Sequence, residues 1–155
     1  MLIIRGLLMK LVIQRVREAQ VTVDNQVVGE IKKGLLLFLG MHREDTERKI
    51  PWLVEKVCHL RVFEDPEGKM NRSVQDVEGK VLLVSQFTLY ANCQVGRRPS
   101  FKETMPSDEA EALYEAFIHQ LQKMMGIENV ATGEFGASMQ VHLVNDGPVT
   151  MTLSR

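Results

Sequence analysis

Gly34-Leu35-Leu36-Leu37-Phe38-Leu39-Gly40-Met41 is the stretch on which the fold turns. It holds only apolar residues and glycine, between the charged pairs Lys32-Lys33 and Arg43-Glu44. A membrane-spanning helix needs about 20 such residues, so this run is far too short. A strand with one wet face would alternate apolar and polar residues. A short unbroken run of this kind reads as a strand buried on both faces. Lys80 to Phe87 reads the same way.

Working outward, Lys10 to Val16 has a strand pattern, and Ala19 to Val23 and Gln26 to Ile31 flank a turn at Asp24-Asn25 as a hairpin would. On the other side, Asp45-Thr46-Glu47 reads as a helix start, followed by Ile50, Leu53, Val54 and Val57 at helical spacing. Pro51 falls early in that helix, where proline is best tolerated. Leu60 to Phe63 is a short strand ended by Asp65-Pro66-Glu67-Gly68, and Asn92 to Met105 is a polar loop. A second helix starts near Pro106-Ser107-Asp108 with Ser107 as N-cap, shows the face Leu113, Ala116, Phe117 and Leu121, and ends at Gly126. Two alternating runs close the chain, Met139 to Val144 and Val149 to Leu153, with Gly147-Pro148 between them as a turn or edge feature. Together these patterns predict an α+β fold in one domain over 1–155. Its core is a mainly antiparallel, barrel-like sheet with two helices packed over it. Residues 1–8 read as a start-site extension, with Met9 as the natural start.

The chain has 155 residues, 19 basic and 20 acidic, for a net charge of −1. Phosphate neutralisation supplies most non-specific affinity for duplex DNA, so this balance argues against a duplex-wrapping surface and for no DNA partner. It leaves room for a protein that grips only the end of an RNA. Cys58 and Cys93 lie far apart and outside any metal-ligand spacing, which points to reduced thiols and a cytoplasmic protein. Neither a membrane-spanning run nor a secretory signal layout is present.

Candidate chemistry centres on three places. Ser85-Gln86-Phe87-Thr88-Leu89 sits where a buried strand opens into a loop, a common home for active sites. Ser85 and Thr88 lack a nucleophile-elbow glycine pattern and an evident histidine partner, since His42, His59, His119 and His142 are scattered. Gly96-Arg97-Arg98-Pro99-Ser100-Phe101-Lys102 gathers three cations and an aromatic ring, which suits a solvated loop or a phosphate grip for a nucleic-acid end. Gly147-Pro148 would aim backbone carbonyls outward without using any side chain. No phosphate-cradling glycine loop and no zinc-protease helix motif occurs, so neither a cofactor nor a metal is called for.

Ser85-Gln86-Phe87-Thr88-Leu89, Arg98-Pro99-Ser100-Phe101 and Asn145-Asp146-Gly147-Pro148-Val149-Thr150, in that order, resemble the D-aminoacyl-tRNA deacylases. The likeness extends from Met9 over nearly the whole chain, through Ile13-Gln14-Arg15-Val16, Gly68-Lys69-Met70-Asn71, Glu111-Ala112-Leu113-Tyr114 and Met139-Gln140-Val141. Tyr90-Ala91-Asn92-Cys93 departs from it, standing where small residues and an acidic one are usual.

The resemblance implies an enzyme that cleaves the ester joining a D-amino acid to the 3′-terminal ribose of tRNA. It implies a homodimer in which a cis Gly147-Pro148 bond reaches the partner's site. There it holds the α-amino group and excludes an L-configured side chain, and glycyl-tRNA would also be hydrolysed. It places Thr88 and Phe87 at the chemistry, as nucleophile or as backbone oxyanion donors, with Ser85 and Gln86 shaping the pocket. Met139 would join Gly147 and Pro148 at the substrate, Arg15 and Asn145 would support them, and Arg97, Arg98 and Lys102 would meet the tRNA acceptor end. Two readings from other classes compete. A non-catalytic RNA-end binding domain would bind tRNA without cleaving it, and a serine or threonine esterase would cleave small esters without RNA.

Overall fold

The computed structural model describes residues 9–155, so the extension assigned to residues 1–8 lies outside the described residues. The chain runs β1 (Lys10–Val23), β2 (Gln26–Ile31), β3 (Gly34–Gly40), α1 (Ile50–His59), β4 (Phe63–Glu64), β5 (Met70–Arg72), β6 (Lys80–Ser85), α2 (Ser107–Met125), β7 (Val130–Thr132) and β8 (Gln140–Ser154). Short 3₁₀ turns precede α1 and follow β6 and α2.

The spine of the sheet is β1, which is one strand and not the two pieces its sequence pattern indicates. Its first half, Lys10 to Val16, pairs antiparallel with β3, and its second half, Ala19 to Val23, pairs with β2. Asp24 and Asn25 both take positive φ in the connecting turn, as a tight hairpin of the expected kind requires. Along its other edge β1 pairs with β8. The order β2-β1-β3-β6-β7 then bends round so that β2 and β7 meet. A side chain at Gly29 would place its Cβ 2.2 Å from the Thr132 carbonyl oxygen, so only glycine allows that approach and the near closure of the barrel. The sheet is mainly antiparallel, but β3–β6 and β6–β7 are parallel pairs. Parallel neighbours need long crossover connections, and α1 and α2 lie in the two crossovers.

The unbroken apolar run in β3 serves two cores. Leu35, Leu37 and Leu39 face α1 and α2, in a core with Leu53, Val57, Tyr114, Phe117 and Leu121. Leu36 and the half-buried Phe38 face the opposite way, onto Val16, Val21, Leu82 and Val84. β1 and β8 change core along their length. Leu11 and Ile13 belong with Val149, Met151 and Leu153 on the helix side, whereas Ala19 and Val21 belong with Met139, Val141 and Leu143 on the other. The crossing is irregular in both strands. Val16 faces Asn145 and Glu18 faces Val144, so Arg17 is an extra residue in β1. Gln14 faces Thr150 and Val16 faces Asn145, so β8 makes a longer detour through Asp146, Gly147 and Pro148.

Several boundaries differ from the sequence reading. The two closing runs form one strand, β8, paired to the same partner, so Gly147-Pro148 is an outward bulge and not a hairpin turn. Ser107 is the first helical residue of α2, because Pro106 already supplies the extended cap geometry and accepts the Ala110 N–H at 2.9 Å. Leu60 caps α1, which delays the short strand to Phe63–Glu64. β6 stops at Ser85, since Phe87 to Tyr90 coil into a 3₁₀ turn. β7 has only three residues and leaves too little pattern to be read. The apolar face of α1 and the end of α2 at Gly126 (φ 92°) fall where the sequence puts them, but α1 begins at Ile50, after a 3₁₀ turn at Glu47–Lys49, and not at Asp45-Thr46-Glu47. Among the described residues, no helix is long and apolar enough to cross a membrane.

Candidate active site

Ser85 closes the parallel ladder, opposite Leu39, and the Gln86 N–H donates to the Leu39 carbonyl at 2.8 Å. The backbone then turns into the Phe87–Tyr90 3₁₀ segment. Its first hydrogen bond runs from the Leu89 N–H to the Gln86 carbonyl at 3.2 Å. The N–H groups of Phe87 and Thr88 lie ahead of that bond and lack a partner within the turn, as at any helical N-terminus. The Gln86 side-chain amide donates to the Thr88 hydroxyl, which fixes both side chains against each other. Thr88 is exposed and Ser85 and Gln86 are half-buried.

A cavity of about 290 Å³ opens beside this turn. Leu39, Met41, Phe87, Met105, Ala110 and Phe135 give it apolar walls, and Ser85, Gln86, Thr104 and Ser107 add polar groups along the lining. An apolar chamber with few polar groups suits a flat or aliphatic ligand part. Thr104, Met105, Ala110, Phe135 and Gly136 are site residues that sequence reasoning missed. They come from the end of a loop, from α2 and from the segment after β7, and no periodicity or motif marks them.

The basic loop lies against the same turn. Asn92 and Ser100 exchange backbone hydrogen bonds of 2.8 and 2.9 Å, and Phe101 meets Phe87 edge-on with ring centroids 5.3 Å apart. Arg97, Arg98 and Lys102 are exposed on it. The loop that carries the cations thus meets the turn through Phe101 and Phe87.

Gly147 and Pro148 lie elsewhere in the chain. Their peptide bond is cis. Arg15, 5 % exposed, holds the bulge from inside. Its Nε donates to the Asp146 carbonyl at 3.1 Å and lies 3.2 Å from the Asp146 carboxylate, while Nη1 donates to the Val62 carbonyl at 2.7 Å. Asn145 clamps the base of the bulge, its Nδ2 donating to the carbonyls of Arg15 at 2.9 Å and Val149 at 3.1 Å. Leu39, beside Gln86, pairs with Leu11 of β1, whereas the bulge begins opposite Val16. The bulge spans register positions from Val16 to Gln14, five to three strand residues from Leu11 or about 17 to 10 Å along the strand, and β8 lies three strands from β6 across the sheet, about 14 Å more. Met139 is in neither place, since it packs half-buried against the second core.

Other titratable groups stand apart from the cavity. Burial pushes the Cys58 thiol up to about 12, so it stays protonated. His59, His119 and His142 are exposed, and His42 is buried below the turn. Among the described residues no cluster of three or more histidine, cysteine or carboxylate side chains could hold a metal ion.

Residues 12–154 match the family model described as D-Tyr-tRNA(Tyr) deacylase. The chain belongs to that family. It is therefore an ester hydrolase of the aminoacyl-tRNA deacylase class. The D-aminoacyl-tRNA deacylase of Desulfotalea psychrophila is 56% identical over 145 residues, covering 94% of this chain and 96% of the relative. That of Thermotoga petrophila is 55% identical over 145 residues, with the same coverage. Among solved structures, a c-Myc DNA Unwinding Element Binding Protein superposes with a TM-score of 0.88 at 44% identity, covering 94% of this deacylase and 97% of that chain. A probable eukaryotic D-amino acid tRNA deacylase superposes with a TM-score of 0.83 at 19% identity, covering 96% and 100%, and shares the fold.

Proposed function

We propose that this deacylase hydrolyses D-aminoacyl-tRNA at the Ser85–Thr88 turn, and that Gly147-Pro148 of a second copy completes the site. The observation that carries the reading is that, in one chain, the turn and the bulge lie three strands apart across the sheet and three to five residues apart along it. A substrate α-amino group cannot touch both in one subunit. A homodimer that docks each bulge against the other's turn brings them together, and the bulge already projects from a strand braced by Arg15 and Asn145.

In that arrangement the ester carbonyl faces the Phe87 and Thr88 N–H groups, which stabilise the developing oxyanion. One such donor contributes on the order of 3 kcal/mol to a barrier. Water supplies the new C–O bond, and the ribose oxygen leaves with a proton. The attacking group is either water, assisted by the ribose 2′-OH, or the Thr88 hydroxyl by way of an acyl intermediate. Gln86 orients Thr88, and Ser85 shapes the surroundings. Gly147 and Pro148 present backbone to the α-amino group and Cα. A backbone wall excludes an L side chain without reading which D side chain is present, so glycyl-tRNA is also a substrate. Arg97, Arg98 and Lys102 take phosphates of the acceptor end, and binding weakens as salt rises. A net charge of −1 does not suit duplex DNA as the partner. The site of action is the cytoplasm, where tRNA is charged.

The decisive assay incubates the protein with D-Tyr-tRNA and L-Tyr-tRNA and measures released amino acid. Release from the D-ester alone supports the reading. Cleavage of neither overturns it, and equal cleavage overturns the role of Gly147-Pro148. A Thr88→Ala enzyme with near-wild-type rate would remove the covalent route and leave the 2′-OH-assisted one.

A further inference from the structure

We propose that His42 and Tyr90 form a positioning pair that couples the Phe87–Tyr90 turn to the basic loop, so that tRNA contact and ester alignment depend on each other. The proposal rests on the reading of that turn as the hydrolytic site. Phe87 is 56% exposed and Thr88 is exposed as well, so these side chains do not anchor the turn. Tyr90 is the one buried residue in it. Its ring meets the His42 ring edge-on, centroids 5.3 Å apart, and the Lys10 ammonium lies 4.5 Å from the Tyr90 centroid on a ring face. Tyr90 is thus gripped by β1 from one direction and by the end of β3 from another.

His42 is 2% exposed and belongs to the other half of the coupling. It bridges Thr104, and the flanking backbone completes the tie: the Arg43 N–H donates to the Glu103 carbonyl at 2.9 Å and the Met105 N–H to the Met41 carbonyl at 3.2 Å. Its ring is itself held. Nδ1 accepts the Glu44 N–H at 3.1 Å, and Nε2 lies 3.8 Å from the Glu103 carboxylate. The His42 N–H donates to the buried Asp45 carboxylate at 2.6 Å. The loop that carries Arg97, Arg98 and Lys102 therefore ends on the same histidine that supports the turn from below. Phe101 on Phe87 is the second point of contact between loop and turn.

The Tyr90 hydroxyl is buried and has no hydrogen-bond partner among the described residues. Nothing in the coupling uses it, so the ring alone is the anchor. This separates the two obvious variants. Tyr90→Phe keeps the ring and should keep the deacylation rate. Tyr90→Leu keeps an apolar filling and loses the edge contact with His42. It should lower kcat/KM for D-Tyr-tRNA about 10-fold or more, since a shift of about 1 Å in a catalytic constellation can lower a rate 100-fold.

The test is a double-mutant cycle on the folded, full-length chain, with kcat and KM for D-Tyr-tRNA measured for Tyr90→Leu, Arg98→Ala and the pair. Coupling predicts that the loss in the pair differs from the product of the single losses by about 3-fold or more, the usual size for residues sharing a network. Multiplying losses would overturn the proposal, because they mean that the loop and turn act independently. Equal losses in Tyr90→Phe and Tyr90→Leu would also overturn it. If Tyr90→Leu does not fold, His42→Gln replaces it in the same cycle with the same two outcomes. Failure of the cycle leaves cleavage of D-Tyr-tRNA by the wild-type protein untouched, so the two readings fall separately.

Discussion

The strand end at Ser85 and the bulge at Gly147 are both places where regular pairing stops, but they are built in opposite ways. At Ser85 a fully buried strand leaves the core, and its last residues are held by one backbone bond, from the Gln86 N–H to Leu39, and by the exposed contact of the Gln86 amide with the Thr88 hydroxyl. At Gly147 an outward detour is held from below by a buried guanidinium and a side-chain amide that reach carbonyls distant in sequence. The first design leaves backbone N–H groups open for a ligand. The second fixes a stretch of backbone in space so that it can act as a wall. The proposed site thus divides its labour between a turn that receives and a bulge that excludes.

The largest effect should come from separating these regions between chains. One chain carries Gln86→Ala with Thr88→Ala, the other carries Gly147→Leu, and the two are denatured and refolded together. If the site is shared across subunits, each alone is nearly inactive on D-Tyr-tRNA. The mixture then recovers about a quarter of wild-type activity, because random pairing of an isologous dimer makes half heterodimers with one intact site of two. No recovery from a mixture shown to exchange subunits would break the comparison at its root.

Next in size, Arg15→Met should lower stability by about 3 kcal/mol in urea unfolding, by stranding the Val62 and Asp146 carbonyls and the Asp146 carboxylate. It should also raise cleavage of L-Tyr-tRNA relative to D-Tyr-tRNA. A stable variant with unchanged selectivity would show that the bulge holds its shape without the brace. Gln86→Ala should do the reverse, with a slower rate but a stability change within about 0.5 kcal/mol, as for other partly exposed residues outside the core. A large loss of stability there would erase the contrast.

The smallest effect concerns the β4–β5 hairpin that follows Val62. The Asn71 side-chain amide, and then the N–H groups of Lys69 and Glu67, hold the Asp65 carboxyl below the usual carboxylate range. Its folded pKa is lower than its unfolded one, so its contribution is present above about pH 4 and fades as pH falls through the folded value. Melting curves of wild type and Asp65→Asn should therefore converge at low pH and differ slightly at neutral pH. A gap independent of pH would remove Asp65 as the cause.

Much of this was legible from residues alone. Gly34 to Met41 showed a two-sided strand because both faces of β3 are buried, one against the helices and one inside the barrel. Helical spacing placed α1 and α2 because each packs one apolar stripe on the sheet. β7 escaped notice because three residues carry no period. The bulge read as a turn because proline and glycine mark any break in a strand alike, whichever partner the flanking runs choose. The packing of the basic loop on the turn through Phe101 and Phe87 did not follow from the sequence. The cavity walls from Thr104, Ala110 and Phe135 did not either, since they depend on how the loop, α2 and the segment after β7 are packed.

The sequence by itself determined the element types of the longer segments, the family, and the two motifs to which the chemistry is proposed to belong. These depend on local patterns, which are period, turn residues and short ordered runs, and a linear reading captures them. Only the tertiary structure decided that β1 serves two cores, that β8 passes unbroken through the bulge, and that the two motifs lie three strands apart in one chain. Pairing partners and register are set by which faces must be buried together, a competition among all the strands at once, and no single stretch of residues carries its outcome.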